Sequence, residues 1–93
     1  MALMRCVASE AAGRRIRVNT LHPGPVENEF QLGIERDVGA QLKIDMTEAL
    51  NQQIPLGRHA SAEEIAQSAL YLASSQSSFV TGAALRVDGG LSL

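Results

Sequence analysis

The chain has 93 residues, of which 45% are hydrophobic and 19% charged, and its formal net charge is −2. That balance lacks the clustered basic residues that nucleic acids and anionic membranes attract, so neither partner is expected. No apolar run approaches the roughly 18 residues of a membrane span. The single cysteine, Cys6, excludes a disulfide framework and favours a reducing cytoplasm.

The first predicted element is a helix over residues 1–12, with Gly13 as its stop. Its apolar face comprises Leu3, Met4, Val7, Ala8 and Ala11. The pattern begins without a capping residue, which favours a chain that opens inside a helix. Three arginines, Arg14, Arg15 and Arg17, follow the helix and are predicted to offset the negative end of its dipole.

A strand and a long excursion follow. Residues 16–22 alternate in the manner of a short strand, which the run Pro23-Gly24-Pro25 ends. Residues 27–54 are charge-rich and less regular; a helix is predicted over 40–50, and 28–39 stays ambiguous. An excursion of this length usually carries function or is disordered.

The last third predicts a turn, a helix and a strand. Residues 55–58 read as the turn, and Ser61 with Glu64 forms a capping box for a helix that ends at Ser74. Residues 84–87 form a short strand that Asp88-Gly89-Gly90 closes. Strands joined through a helix are expected to be parallel, with a right-handed crossover.

Three stretches, in this order and at these separations, closely resemble the last third of short-chain dehydrogenases/reductases such as 3-oxoacyl carrier-protein reductases. They are Ile16–Val26, Pro55–Arg58 with Glu63–Ala66 behind it, and Phe79–Gly82 with Val87–Gly90 behind it. The resemblance implies an α/β fold. Residues 1–93 would be the C-terminal segment of a Rossmann-type doubly wound parallel sheet, in the order helix, strand, lid helices, helix, strand.

The resemblance also implies an activity and a cofactor. The parent enzyme would transfer a hydride between NAD or NADP and a small carbonyl or alcohol substrate. The loop after the first strand would run beside the nicotinamide, and Gly24 would permit close backbone approach. The implied cofactor-binding residues are Pro23, Gly24, Pro25, Val26 and Asn28. The Val26 backbone would hold the carboxamide, and Asn28 stands where the family usually has a threonine.

Residues 27–54 would form the substrate lid of the family. The candidate apolar lining is Phe30, Leu32, Ile34 and Leu42, and core packing is the alternative for the first three. The last helix and Val87–Gly90 would form the subunit interface of these usually tetrameric enzymes. A rigid turn is the plain alternative for the proline-flanked loop.

No catalytic residue of the family lies in the chain. The Tyr-x-x-x-Lys motif would fall just before Met1; the only tyrosine, Tyr71, is followed four residues on by Ser75, and no Gly-x-x-x-Gly-x-Gly turn is present. We therefore predict that the chain alone is inactive. The alternatives are a non-catalytic module that self-associates or pairs with a complementary N-terminal half, and a truncated gene product.

The histidines and the cysteine are assigned no chemistry. His22 and His59 have no partner at metal-ligand spacing, so they are predicted to be structural or solvated, and no metal site is expected. Cys6 has no neighbouring histidine and is expected to be a structural or exposed thiol.

Overall fold

The computed structural model describes residues 1–93 and has the predicted order of elements. These are α1 Ala2–Ala12, β1 Thr20–Pro23, β2 Val26–Glu27, α2 Glu29–Leu42, α3 Met46–Gln53, β3 Ala60–Ser61, α4 Ala62–Ala73, a 3₁₀ turn Ser75–Ser77, and β4 Ala84–Val87. None of these helices has the length and apolarity that a membrane crossing requires.

The strands form two parallel pairs. β1 runs beside β4, with Thr20 opposite Ala84 and Pro23 opposite Val87. The shorter β2 runs beside β3, with Val26 opposite Ala60. Because helices lie between the paired strands of each pair along the chain, the parallel arrangement with a helical connection is confirmed.

The first strand is shorter than predicted, because the regular strand begins only at Thr20. Before Thr20, hydrogen bonds that involve side chains take the place of the backbone bonds of a regular strand pair. The Val18 amide donates to Thr81 Oγ1 at 3.1 Å. The Asn19 side chain donates to the Val80 carbonyl at 3.0 Å and accepts from the Ala83 amide at 2.9 Å. The segment is therefore extended and bound to the approach to β4 without being a regular strand.

Arg17 does not serve the helix that precedes it. Its guanidinium donates to the carbonyls of Leu72 and Ser74 at 3.1 Å and of Val80 at 3.2 Å, and to Ser77 Oγ at 2.9 Å. These acceptors lie at the carboxyl end of α4 and just beyond it, where helix carbonyls have no partner within the helix. The dipole prediction is therefore wrong for Arg17, which caps a helix distant in sequence.

The single helix predicted over residues 40–50 is wrong, because two helices meet there. α2 ends at Leu42, Lys43 is left-handed with φ 58°, and Asp45 caps α3 by accepting from the Glu48 amide. The chain turns back so closely that a Cβ on Gly39 would lie 2.6 Å from the Ile44 carbonyl oxygen. The ambiguous stretch before Gly39 is helical from Glu29 onwards.

The apolar core is small. Only Met4, Ala8 and Ile54 are buried hydrophobic residues, whereas Leu3 and Val7 of the predicted α1 face are exposed. The radius of gyration is 16.5 Å, against about 12 Å for a compact chain of this length. The solvent-accessible surface is 6769 Å², against about 5,200 Å² for a folded monomer of this mass. The chain thus exposes apolar surface that a compact monomer would bury.

Candidate functional site

The proline-flanked loop leaves β1 at the carboxyl ends of the parallel pair. The Gly24 amide donates to the Val87 carbonyl at 3.0 Å, and the Ala60 amide donates to the Pro25 carbonyl at 3.0 Å. These backbone contacts fix the loop to β4 on one side and to β3 on the other. In open parallel sheets this edge is where ligands bind.

Gly24 is required by packing within the chain. A Cβ at this position would lie 2.8 Å from the Asp88 Cα and 2.9 Å from the Asp88 Cβ. Asp88 is itself fixed, because its carboxylate accepts from the Gly90 amide and from both the amide and the hydroxyl of Ser92. The close approach that Gly24 permits in this structure is therefore to the turn after β4.

Val26 and Asn28, which are also predicted to bind the cofactor, lie just before α2. The Asn28 amide donates to the Val26 carbonyl at 3.0 Å. The Asn28 side-chain oxygen accepts from the Gln31 amide at 2.8 Å, which caps α2. Asn28 thus has a structural role whether or not it touches a cofactor.

The four predicted lid residues do not form one cluster. Phe30 is 79% exposed, and Ile34 and Leu42 are also exposed. Leu32 alone is half-buried and borders a cleft of about 200 Å³ beside Thr47 and Asn51. The exposed residues are available to a ligand or to another protein surface, and they do not pack into this chain's core.

A polar cluster around buried Glu35 and His59, which the sequence did not predict, forms part of the wall of this cleft. His59 Nε2 is 2.8 Å and 3.0 Å from the two carboxylate oxygens of Glu35, and His59 Nδ1 is 2.6 Å from Asn51 Oδ1. The Thr47 hydroxyl and the Gln31 amide group donate to the same carboxylate at 2.6 Å and 2.7 Å. We call these five residues the Glu35–His59 cluster.

Opposing effects act on the Glu35 carboxyl. Burial disfavours its charged form, but hydrogen bonds from Thr47, His59 and Gln31, together with the positive charge of a protonated His59, hold its pKa below the ordinary value. The carboxylate is therefore ionised and fully hydrogen-bonded. Both ring nitrogens of His59 are occupied as well, so the histidine has no free nitrogen for acid–base chemistry.

No sequence signal identified this pair. Glu35 and His59 are 24 residues apart and belong to no shared motif. His59 is structural, which was one of the two alternatives for it, and Glu35 was not singled out. The other histidine, His22, is exposed, and its Nε2 lies 2.9 Å from Thr20 Oγ1.

The remaining candidate groups stay apart from one another. Cys6 is an exposed free thiol on α1. Tyr71 is 40% exposed on α4, and its neighbour four residues on is a serine. No group of three histidine, cysteine or acidic side chains is arranged to hold a metal ion. The chain therefore presents a fixed loop with two helices beside it, and Cys6, His22 and Tyr71 belong to no shared cluster.

Known proteins are similar to this chain over nearly its whole length. The family model described as enoyl-(acyl carrier protein) reductase matches residues 1–92. Galactitol 2-dehydrogenase (L-tagatose-forming) of Cereibacter sphaeroides is 47% identical over 89 residues, covering 95% of this chain and 32% of the relative. The 3-oxoacyl-(acyl-carrier-protein) reductase FabG of Thermotoga maritima is 44% identical over 84 residues, covering 90% of this chain and 31% of the relative.

A solved structure shares the fold. The crystal structure of YwfH, an NADPH dependent reductase involved in bacilysin biosynthesis, superposes with a TM-score of 0.86 at 31% identity, over 97% of this chain and 35% of that chain. The α/β, Rossmann-type prediction is therefore confirmed. The chain spans about a third of the length of these proteins, and it belongs to the short-chain dehydrogenase/reductase family.

Proposed function

We propose that this chain supplies the nicotinamide side and the substrate lid of an oxidoreductase. The enzyme would move a hydride between NAD(P)(H) and a carbonyl or alcohol carbon. Membership of the family supports this proposal, as do relatives named as dehydrogenases and reductases. A cytoplasmic location also stays a prediction.

One observation carries the proposal: the position of the Pro23–Val26 loop. The loop leaves the carboxyl end of β1, is bound by backbone contacts to β4 and β3, and leads directly into α2. Ligands of doubly wound sheets bind outside these strand ends. Helices that follow such a loop are well placed to cover a substrate, as lids do.

The residues present fit one end of the cofactor. The Pro23–Val26 backbone and the Asn28 side chain would border the nicotinamide, which supplies or accepts the hydride. The exposed side chains of Phe30, Ile34 and Leu42 would line the substrate side. The sequence has no glycine-rich turn to hold the phosphates, so binding of the whole cofactor requires further protein surface.

We also propose that the chain alone is catalytically inactive. In the family a tyrosine protonates the carbonyl oxygen and a lysine lowers the pKa of that tyrosine. The only tyrosine here is Tyr71 on α4, and the only lysine is Lys43 at the end of α2. These two residues belong to different helices outside the loop, so they do not reproduce the motif.

The exposed surface favours association as a second, compatible function. The chain exposes about 1,600 Å² more than a compact monomer of its mass. A standard protein–protein interface buries about 800 Å² on each partner, so this excess is about twice what one such interface covers. The exposed apolar side chains include Leu3, Leu70 and Phe79. A complementary N-terminal half or a second copy would cover such surface, and the former would also supply the missing catalytic groups.

The test is a titration with NADH and with NADPH, followed by the fluorescence of the reduced nicotinamide, with the mass in solution measured in parallel. We expect no saturable binding by the chain alone, and saturable binding once a segment carrying Tyr-x-x-x-Lys and the glycine-rich turn is added. Lack of binding by the combined chains would contradict the proposal. Micromolar binding by this chain alone would contradict its dependence on a partner.

Two matched variants locate the site. Asn28→Ala and Ser61→Ala each remove the N-cap side chain of one helix, α2 or α4. Of the two, only Asn28 is a proposed cofactor contact, whereas Ser61, on β3, lies opposite Glu27. We therefore expect Asn28→Ala to weaken cofactor binding by the combined chains more than Ser61→Ala does. Equal effects of the two variants would mean that helix capping alone accounts for the change.

A further inference from the structure

The Glu35–His59 pair is the most deeply buried charged contact in the chain. The side chains of His59 and Glu35 are 4% and 2% exposed. The only other ion pair, between Arg58 and Glu64, lies at the surface with both side chains more than 40% exposed. A buried charge left without its partner is far more costly than a surface one.

The cluster joins three parts of the chain. Glu35 lies in the middle of α2, Asn51 lies on α3, and His59 immediately precedes β3. β3 pairs with β2, which follows the Pro23–Val26 loop. Side-chain contacts thus connect the two helices of the proposed lid to the segment before β3, and backbone bonds of β3 connect that segment to the loop.

The buried polar atoms of the Glu35–His59 cluster are all hydrogen-bonded. No buried side-chain nitrogen or oxygen lacks a hydrogen-bond partner. His59 Nε2 faces the Glu35 carboxylate at 2.8 Å, and His59 Nδ1 faces the Asn51 side-chain amide at 2.6 Å. A hydrogen bond to a carboxylate is of the strong, charge-assisted kind.

Apolar packing holds the same helices only in part. The only fully buried residues of α2 are Glu35 and Gly39, and α3 has none. Leu32, Met46 and Leu50 are half-buried, whereas Phe30, Ile34, Leu42 and Ile44 are exposed. The buried contact between Glu35 and His59 therefore supplements incomplete apolar packing in holding α2 and α3.

We infer that Glu35 and His59 are positioning residues that latch α2 and α3 to the segment before β3 and thereby set the lid against the Pro23–Val26 loop. The latch follows from the contacts above. Its consequence for substrate binding rests on the proposed function. Opening of the pair would release both helices together, while α4 and the β1–β4 pair keep their own contacts.

The test compares hydrogen exchange of backbone amides in the chain and in Glu35→Gln, with Asp37→Asn as the matched control. Asp37 is an exposed acid on the same helix. In Glu35→Gln we expect the amides of α2 and α3 to exchange about 100-fold faster or more. The amides of α4 should exchange at nearly the original rate, and Asp37→Asn should resemble the unaltered chain.

A milder variant covers the case in which Glu35→Gln unfolds the chain. Thr47→Val removes a single donor to the Glu35 carboxylate. It should produce the same regional pattern with about tenfold faster exchange. Equal acceleration in α1, α2, α3 and α4 by both variants, or none in α2 and α3, would overturn the latch.

A kinetic measurement separates the latch from the proposed function. In combined chains that turn over substrate, Glu35→Gln should raise KM more than it lowers kcat, because the lid is no longer held in place before substrate arrives. Equal effects on KM by Glu35→Gln and Asp37→Asn would contradict a role in positioning the lid. If no combination binds cofactor, the proposed function fails while the exchange pattern still tests the latch.

Discussion

Two polar clusters organise this chain, and they differ in the length of chain that they join. On the lid side, the Glu35–His59 cluster draws every member from residues 31–59 and leaves no buried polar atom without a partner. On the sheet side, Arg17 ties the approach to β1 to the end of α4, 55 to 63 residues away. Apolar side chains are exposed on both sides, as at Phe30 on the lid side and Leu70 on the sheet side.

The comparison shows how the interactions are divided. Hydrogen bonds and charges specify which segments meet, whereas the apolar surface that normally stabilises a domain is largely unburied. On the lid side the polar contacts are made within residues 31–59, whereas on the sheet side they join segments 55 to 63 residues apart. Variants on the sheet side test this difference between the two sides. The largest effect of all is expected from Glu35→Gln, on the amide exchange of α2 and α3.

Replacing Arg17 with alanine should destabilise the folded chain on the sheet side. It removes donors to three carbonyls and to the Ser77 hydroxyl. Because hydrogen bonds to a charged group contribute more than neutral ones, we expect a loss of about 2–3 kcal/mol in the free energy of unfolding. Urea titration followed by circular dichroism measures it.

Arg14→Ala is the matched control for Arg17→Ala, because Arg14 is an exposed arginine on the same connection and makes no side-chain hydrogen bond in the structure. It should change the free energy of unfolding by less than about 0.5 kcal/mol. A similar loss in both variants would mean that net charge, and not the contacts of Arg17, stabilises this side.

Acid should weaken the start of α4. Hydrogen bonds from Arg58 and from the Ser61 backbone lower the pKa of Glu64 from 4.5 to about 2. The folded chain therefore favours ionised Glu64. The resulting stabilisation is present above pH 4.5 and is lost as the pH falls from 4.5 to about 2. Carboxyl ¹³C shifts follow this titration residue by residue.

Arg58→Gln sharpens the acid prediction, because it removes the main cause of the pKa shift while Ser61 remains. The pKa of Glu64 should move back towards 4.5. An unchanged pKa in this variant would show that the capping box alone accounts for the low value.

Replacing Phe79 with serine should have the smallest effect on stability and a clear effect on association. Phe79 is fully exposed, so the free energy of unfolding of the chain should change by less than about 0.5 kcal/mol. If the sheet side is open to another surface, sedimentation should show weaker self-association or weaker pairing with an N-terminal half. Phe30→Ser on the lid side is the control, and equal effects of the two variants would remove the distinction between the sides.

Local patterns predicted most of the elements. The Ser61–Glu64 capping box starts α4, and the turn Asp88-Gly89-Gly90 closes β4. Both were predictable because each depends on residues within a few positions of each other. The parallel pairing followed from the order of elements, and the family motifs indicated the fold class. The predicted start of the first strand was wrong because a distant segment intervenes. There the Val18 amide donates to the Thr81 hydroxyl and not to a neighbouring strand.

What the sequence determined by itself is therefore the family, the order of elements and the place of the proline-flanked loop after the first strand. Tertiary structure alone decided that Arg17 caps α4, that Gly24 makes room for Asp88, and that Glu35 meets His59. The physical reason is that these contacts join residues 24 to 64 positions apart. No periodicity or spacing encodes such contacts, and their energy depends on burial that exists only once the chain is folded.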